Sequence, residues 1–255
     1  MLFYSLSKEE RLRLAAAISK EIFSGIKAGR DKNILRYFSD EDMYIRKAGY
    51  LAIGRIYHAE VNFRAAILKL IIGLLEHTSF KVRQTALNAA GEIAMKDFTP
   101  VEIFFHKGLV DAHHSVRNAV IGSMKKAGEK NPEPVLAFAK KYLDHPDKEI
   151  RREICHGIEL RGRTHPQDIL PLLRKLQHDK TARVRHTLVH VLGQIAYKKG
   201  CLETVITDLK NWENKELVLD AIEEIIDVHY RYRNFSVLTQ DEAREYIEAE
   251  LSIHD

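Results

Sequence analysis

Thirteen histidines give this sequence its largest stock of coordinating side chains. His186 and His190 stand four apart, so a helix carries both imidazoles on one face, at a spacing that suits a pair of zinc ligands. Between them lie Thr187, Leu188 and Val189, so the glutamate base of a His-Glu-x-x-His metalloprotease is missing. No third ligand is near in sequence, although His156 could approach from a preceding segment. The reading is therefore two solvated histidines, with no metal and no cofactor. The paired carboxylates Glu223-Glu224 and Glu149/Glu153 read as solubilising groups on exposed helix faces. Cys155 and Cys201 are too few for a disulfide framework and suit a reducing compartment; Cys155 reads as an inert packed thiol. A glycine-rich phosphate loop and a Gly-x-Ser-x-Gly elbow are both missing. No catalytic residue is assigned.

The elements that must position these side chains come from a repeat. An aliphatic residue followed by arginine recurs at Ile45-Arg46, Val82-Arg83, Val116-Arg117, Ile150-Arg151 and Val184-Arg185, with the arginines 37, 34, 34 and 34 residues apart. A sixth copy begins at Leu217-Val218, where the arginine is lost. With the aliphatic residue as position p, p+4 is Gly49, Ala86, Val120, Ile154, Leu188 and Ala221. Position p+8 is Ile53, Ala90, Met124, Ile158, Leu192 and Ile225. This is the 3.6-residue stripe of an amphipathic helix. A second apolar segment lies in each period, such as 101–109, 135–143 and 169–176, and Pro100, Pro132 or Pro134, and Pro166 suit the first turns. The unit is helix–turn–helix, and its period of about 34 residues predicts an all-α solenoid. Residues 1–29 are expected to form an N-terminal capping helix opened by Ser7 and Glu10. Residues 30–230 carry six repeats, and 231–255 a linker and C-terminal cap opened by Thr239 and Glu242. The aromatic-basic run 229–235 reads as a linker folded back on the last repeat or as a contact loop. A composition of 45% hydrophobic and 30% charged residues is that of an ordinary globular chain. The N-terminus turns charged at Lys8 and no apolar run spans a membrane, so a cytoplasmic protein without a signal peptide is expected.

The repeated motif, Asp, four variable residues, Val/Ile-Arg and then Leu-Gly near the helix end, resembles the HEAT repeat, including the short form named after phycobilisome lyases. It reads Asp40…Ile45-Arg46…Ile53-Gly54, Asp111…Val116-Arg117 and Asp179…Val184-Arg185…Leu192-Gly193. The resemblance covers residues 30 to 230 and implies a right-handed α-solenoid of six hairpins whose second helices line a concave surface. HEAT-like di-iron hydroxylases carry His-Glu dipeptides, and this chain has none. The recurrent arginine at p+1 sits at the margin of the core stripe, with Asp40, Asp111 and Asp179 at p−5. It reads as an inter-repeat staple, the alternative being a row of phosphate-binding guanidiniums.

The second helices, taken as 41–58, 80–97, 115–130, 148–163 and 182–199, carry net charges of +1, +1, +3, +2 and +4, while 214–229 carries −4. Positions p+2 and p+6 lie opposite the core stripe and must face outward. The candidate partner-binding groove is Lys47, Gln84, Asn88, Asn118, Lys125, Lys126, Arg152, His156, Arg183, His186, His190 and Lys198. Such a face suits an acidic protein or peptide, and the leading reading is a non-enzymatic binding scaffold. A rival comes from residues 179–212, which resemble a repeat of the AlkD-like alkylpurine DNA glycosylases, with His165-Pro166 adding to the likeness. That family wraps duplex DNA on a basic HEAT-like face and sets tryptophans and an aspartate against the damaged nucleotide. Here Trp212 is the single tryptophan and no Trp-Asp grouping occurs, so no catalytic residue carries over.

Overall fold

The computed structural model describes residues 3–251 and is all-α, with no strand among the described residues. The two ends of the expected caps, 1–2 and 252–255, lie outside the described residues. The chain folds as two compact units, 1–134 and 135–255.

The first unit opens with α1 (Lys8–Lys27), capped as the sequence predicts. The Ser7 hydroxyl accepts from the Glu10 N–H, and the Glu10 carboxylate accepts from the Ser7 N–H. The chain leaves α1 through Gly29, whose φ of +63° is left-handed backbone that costs a glycine little. Three hairpins follow, α2 (Lys32–Phe38) with α3 (Met43–Ala59), α4 (Arg64–Leu75) with α5 (Phe80–Ala94), and α6 (Glu102–Leu109) with α7 (His114–Lys130). The second unit continues from α8 (Pro132–Lys140) to α9 (Lys148–Gly157) and α10 (Glu159–Gly162), then α11 (Pro166–Leu173) with α12 (Ala182–Ala196) and α13 (Cys201–Leu209) with α14 (Lys215–Arg231). It closes with α15 (Gln240–Leu251), where Thr239 and Glu242 exchange capping bonds like those of α1.

Within each unit, burial follows the sequence stripe. The p+8 residues Ile53, Ala90, Met124, Ile158, Leu192 and Ile225 are each at most 1% exposed. Full burial of a large aliphatic side chain is worth about 1.5–3 kcal/mol, so this row and its p+4 companions account for much of the hairpin-to-hairpin cohesion. The seam arginines complete it. Arg46, Arg83, Arg117, Arg151 and Arg185 each donate through Nη1 to the carbonyl at p−5 of their own repeat, at 2.5–2.9 Å. Where the next repeat supplies aspartate, the guanidinium also makes a two-pronged pair. Arg83 meets Asp111 at 2.7 and 3.0 Å, and Arg151 meets Asp179 at 2.5 and 3.0 Å. Arg83 and Arg151 are staples between repeats, as expected, and all five arginines also clamp the loop of their own repeat.

Three expectations need correction. The run 229–235 is not all linker. Helix α14 continues through Arg231, and His229 is a core residue, 1% exposed, with Nδ1 2.8 Å from the Ile225 carbonyl. Beyond it, the Tyr232 ring stacks on Tyr197 at 5.1 Å and the Val237 N–H donates to the Tyr197 carbonyl, so the segment does fold back. The fourth repeat's second helix does not run unbroken from 148 to 163; it is interrupted at Ile158, between α9 and α10. Glu153 is not on an exposed face. It occupies p+3, toward the next hairpin, and is 2% exposed.

Candidate functional site

Positions p+2 and p+6 fall on the side of each second helix away from the p+4/p+8 core. In the first unit this places Lys47 and Asn118 exposed, and Gln84 and Asn88 half-buried, with Lys125 half-buried and Lys126 exposed further along α7. In the second unit Arg183 and His186 are exposed, and Arg152, His156, His190 and Lys198 are half-buried. None of the twelve candidates is buried.

The face is less basic than formal counting implies. The five seam arginines contribute to the positive totals of the second helices, yet their guanidiniums are tied into loop carbonyls. Several outward cations also have carboxylates beside them. Lys126 Nζ is 3.5 Å from Glu92, Arg183 is 3.1 Å from Glu149, and Arg152 is 3.0 Å from Glu149 and 3.7 Å from Glu153. Lys198 lies over the Tyr197 and Phe235 rings at 4.8 and 5.9 Å. What each unit presents is a ladder of mixed charge and amide groups with cations at its exposed tips.

Two of the outward histidines come together. The His156 and His190 rings have centroids 5.8 Å apart, and His156 Nδ1 lies 2.8 Å from the Glu159 carboxylate. Glu159 is 1% exposed, and its other oxygen accepts from Arg163 at 2.5 Å. Arg163 donates as well to the buried Gln194 side chain at 2.8 Å. His190 Nδ1 is 3.4 Å from Glu224. His190 is therefore no free surface histidine, whereas His186, one turn earlier on the same face of α12, stays exposed. Sequence reasoning named His156 and His190 but missed Glu159. Its one signal was register, because Glu159 stands at p+9, where Gly54, Gly91 and Gly193 stand in other repeats.

The other candidate chemistry resolves into packing. Cys155 is fully buried, and burial pushes its thiol far above the ordinary range, so it is no nucleophile. Trp212 is 1% exposed and its Nε1–H donates to Asp208 at 2.7 Å. It has no face to offer a nucleotide. Among the described residues no helix is long and apolar enough to cross a membrane.

Residues 135–225 match the family model of HEAT repeats. No curated protein matches the chain. Among solved structures, crescerin, which uses a TOG domain array to regulate microtubules in the primary cilium, is similar with a TM-score of 0.50. It is 16% identical over 76% of this chain and 88% of that chain. A chain of the Pds5–Scc1 complex of cohesin is similar with a TM-score of 0.53 at 14% identity, over 97% of this chain and 42% of that chain. Residues 135–225 are thus HEAT-repeat sequence, in a chain whose fold is that of the helical-repeat solenoids.

Proposed function

We propose that the protein is a non-enzymatic, cytoplasmic scaffold that holds an acidic protein segment on the outward face of its second helices. The observation that carries this reading is the character of the p+2 and p+6 positions. From the first repeat to the fifth they reach solvent and bear mostly amides, imidazoles and cations, Gly122 and half-buried Leu51 excepted, while the p+4 and p+8 residues of the same helices are consumed by the core. A surface of this kind offers hydrogen bonds and long-range attraction rather than an apolar pocket, and its on-rate falls with salt. The likeness to a chain of the Pds5–Scc1 complex supports the same direction, since that chain is part of a protein–protein complex.

Reversal at Arg152 would set a new carboxylate beside Glu149 and buried Glu153, mixing binding with stability. Lys47 and Arg183 are both exposed, and since Arg183 also stands 3.1 Å from Glu149 it is neutralised rather than reversed, so Lys47→Glu with Arg183→Gln is expected to leave the circular-dichroism spectrum unchanged and to move the melting temperature little. With a fluorescein-labelled poly-glutamate peptide, anisotropy should report binding at low salt and at least a tenfold weakening in the double variant. A labelled DNA duplex run in parallel distinguishes the rival. Duplex binding through five phosphates would fall roughly 500-fold between 50 and 200 mM salt. Tight, salt-steep duplex binding with no peptide binding would overturn the protein-scaffold reading.

A further inference from the structure

We propose that His156, Glu159 and His190 form a binding site for one divalent transition-metal ion of the zinc class. The three residues come from α9, α10 and α12 of the second unit, and a ligand atom from each lies within 4.8 Å of the other two.

The buried carboxylate is the strongest sign. At p+9 three of the other repeats hold a glycine closely packed against the next helix. A Cβ added at Gly54, Gly91 or Gly193 would come within 2.5, 2.3 or 2.6 Å of the neighbouring helix's side chains. The fourth repeat instead places a glutamate there, buried to 1% exposure, and the helix breaks at Ile158 immediately before it. In those three repeats the seam leaves no room for a methyl, the third and sixth hold half-buried Lys125 and buried Ile226, and the fourth is the one that buries a carboxylate there. The carboxylate is also aimed. Arg163 takes Oε1 at 2.5 Å and is itself braced by Gln194, leaving Oε2 toward the histidines. On the other side, Glu224 stands 3.4 Å from His190 Nδ1. Such a carboxylate fixes the imidazole tautomer and leaves Nε2 for an ion.

Donor chemistry sets the class of ion. Two imidazole nitrogens and one carboxylate oxygen suit zinc, cobalt, nickel or copper, whereas magnesium and calcium take oxygen shells. Three protein ligands leave a fourth position open, and the His156 and His190 side chains, 30% and 42% exposed, give the ion a route from solvent. Once bound, the ion ties the second helix of the fourth repeat to that of the fifth. His156 and His190 belong to the outward face, but the metal test reads their donor atoms alone and needs no partner on that face.

The test uses the full untagged chain, stripped with EDTA and titrated with Co²⁺ at neutral pH. The expected result is one ion per chain with the visible absorption of tetrahedral cobalt, displaced by Zn²⁺, and a Zn²⁺-dependent rise in melting temperature that EDTA reverses. His190→Ala, at a half-exposed ring, should weaken binding about 100-fold and Glu224→Gln about 10-fold. His186→Ala, on the same helix but outside the cluster, should bind as the parent does. Glu159→Gln should also lose the ion, and His190→Ala keeps the test decisive if that buried change unfolds the chain. Absence of the cobalt absorption would overturn the site, as would equal binding by the His190 and His186 variants. Either result would leave Glu159 as the partner of Arg163 and His156 only.

Discussion

Where α5 meets α7 in the first unit, the seam is closed by Ala89, Ala90 and Gly91, all fully buried, against Ser123. Where α9 and α10 meet α12 in the second, the same level holds Glu153, Glu159 and Gln194, each at most 2% exposed, with Arg163 reaching in between. The edges of the two seams are alike. Arg83 grips Asp111 in the first and Arg151 grips Asp179 in the second, with the same atoms at nearly the same distances. The repeat therefore fixes the edge, which sets how one hairpin stacks on the next. The centre is left free to carry either small apolar residues or a satisfied polar network. A site can be grafted at the centre without disturbing the stacking.

The largest effect is expected where the two seams agree. The Asp179 side chain is 5% exposed and that of Arg151 14%, so Asp179→Ala strands a poorly solvated guanidinium and removes the bond from the Thr181 N–H. A loss of about 3–5 kcal/mol should appear in urea denaturation. Asp111→Ala should cost somewhat less, since its pair is more exposed, at 12% and 16%. The same residues set the acid limb. Burial by itself would raise the Asp179 pKa, but hydrogen bonds from Arg151 and the Thr181 N–H hold it below the ordinary value of 3.8. Its stabilisation is present above that value and is lost as the pH falls through the lower folded-state pKa. Asp179→Asn should flatten the stability curve there. An unchanged acid limb in the variant would separate the staple from acid unfolding.

At the centre, the polar seam should behave as a network. Glu159→Met leaves Arg163 facing the buried Gln194 without its carboxylate, at a cost of about 3 kcal/mol. Arg163→Met should cost a similar amount. The double variant should cost less than the sum, with a coupling of about 2 kcal/mol. Strict additivity would mean that the 2.5 Å contact does not organise this seam.

The contrast also marks how far the sequence could be read. The solenoid was legible because period and burial report the same physics, as the uniformly buried p+8 row shows. The staples were legible because Asp at p−5 and Arg at p+1 recur. Individual departures from the repeat were harder. Glu153 looked solvated because its wheel position borders the polar face, yet an adjacent hairpin covers it. Glu159 was overlooked because glycine at p+9 matters through the neighbouring helix, a distance that no single-helix periodicity contains. His229 was assigned to a linker because an aromatic-basic run breaks the hydrophobic pattern, although one of its rings turns inward.

The smallest effect concerns glycine and sharpens what the apolar seam requires. A Cβ on Gly91 would lie 2.3 Å from the Ser123 hydroxyl and 2.6 Å from its Cβ, and both helices carry the backbone that would have to yield. Gly91→Ala should therefore destabilise by about 1–3 kcal/mol, as overpacking does. Gly122 sits in α7 with nothing within 4 Å of an added Cβ. There alanine restores helix propensity and restricts the unfolded chain, so Gly122→Ala should stabilise by about 0.5–1 kcal/mol. The two changes are chemically identical, and opposite signs in the same denaturation experiment would isolate the close approach of the seam as the cause. Trimming the opposing residue tests it from the other side. Ser123→Gly in the Gly91→Ala background should recover part of the loss, whereas the same change in the parent should only cost stability. If Gly91→Ala proves neutral, the hairpins of the first unit can slide apart by the needed fraction of an ångström, and the glycine seam is not what holds their spacing.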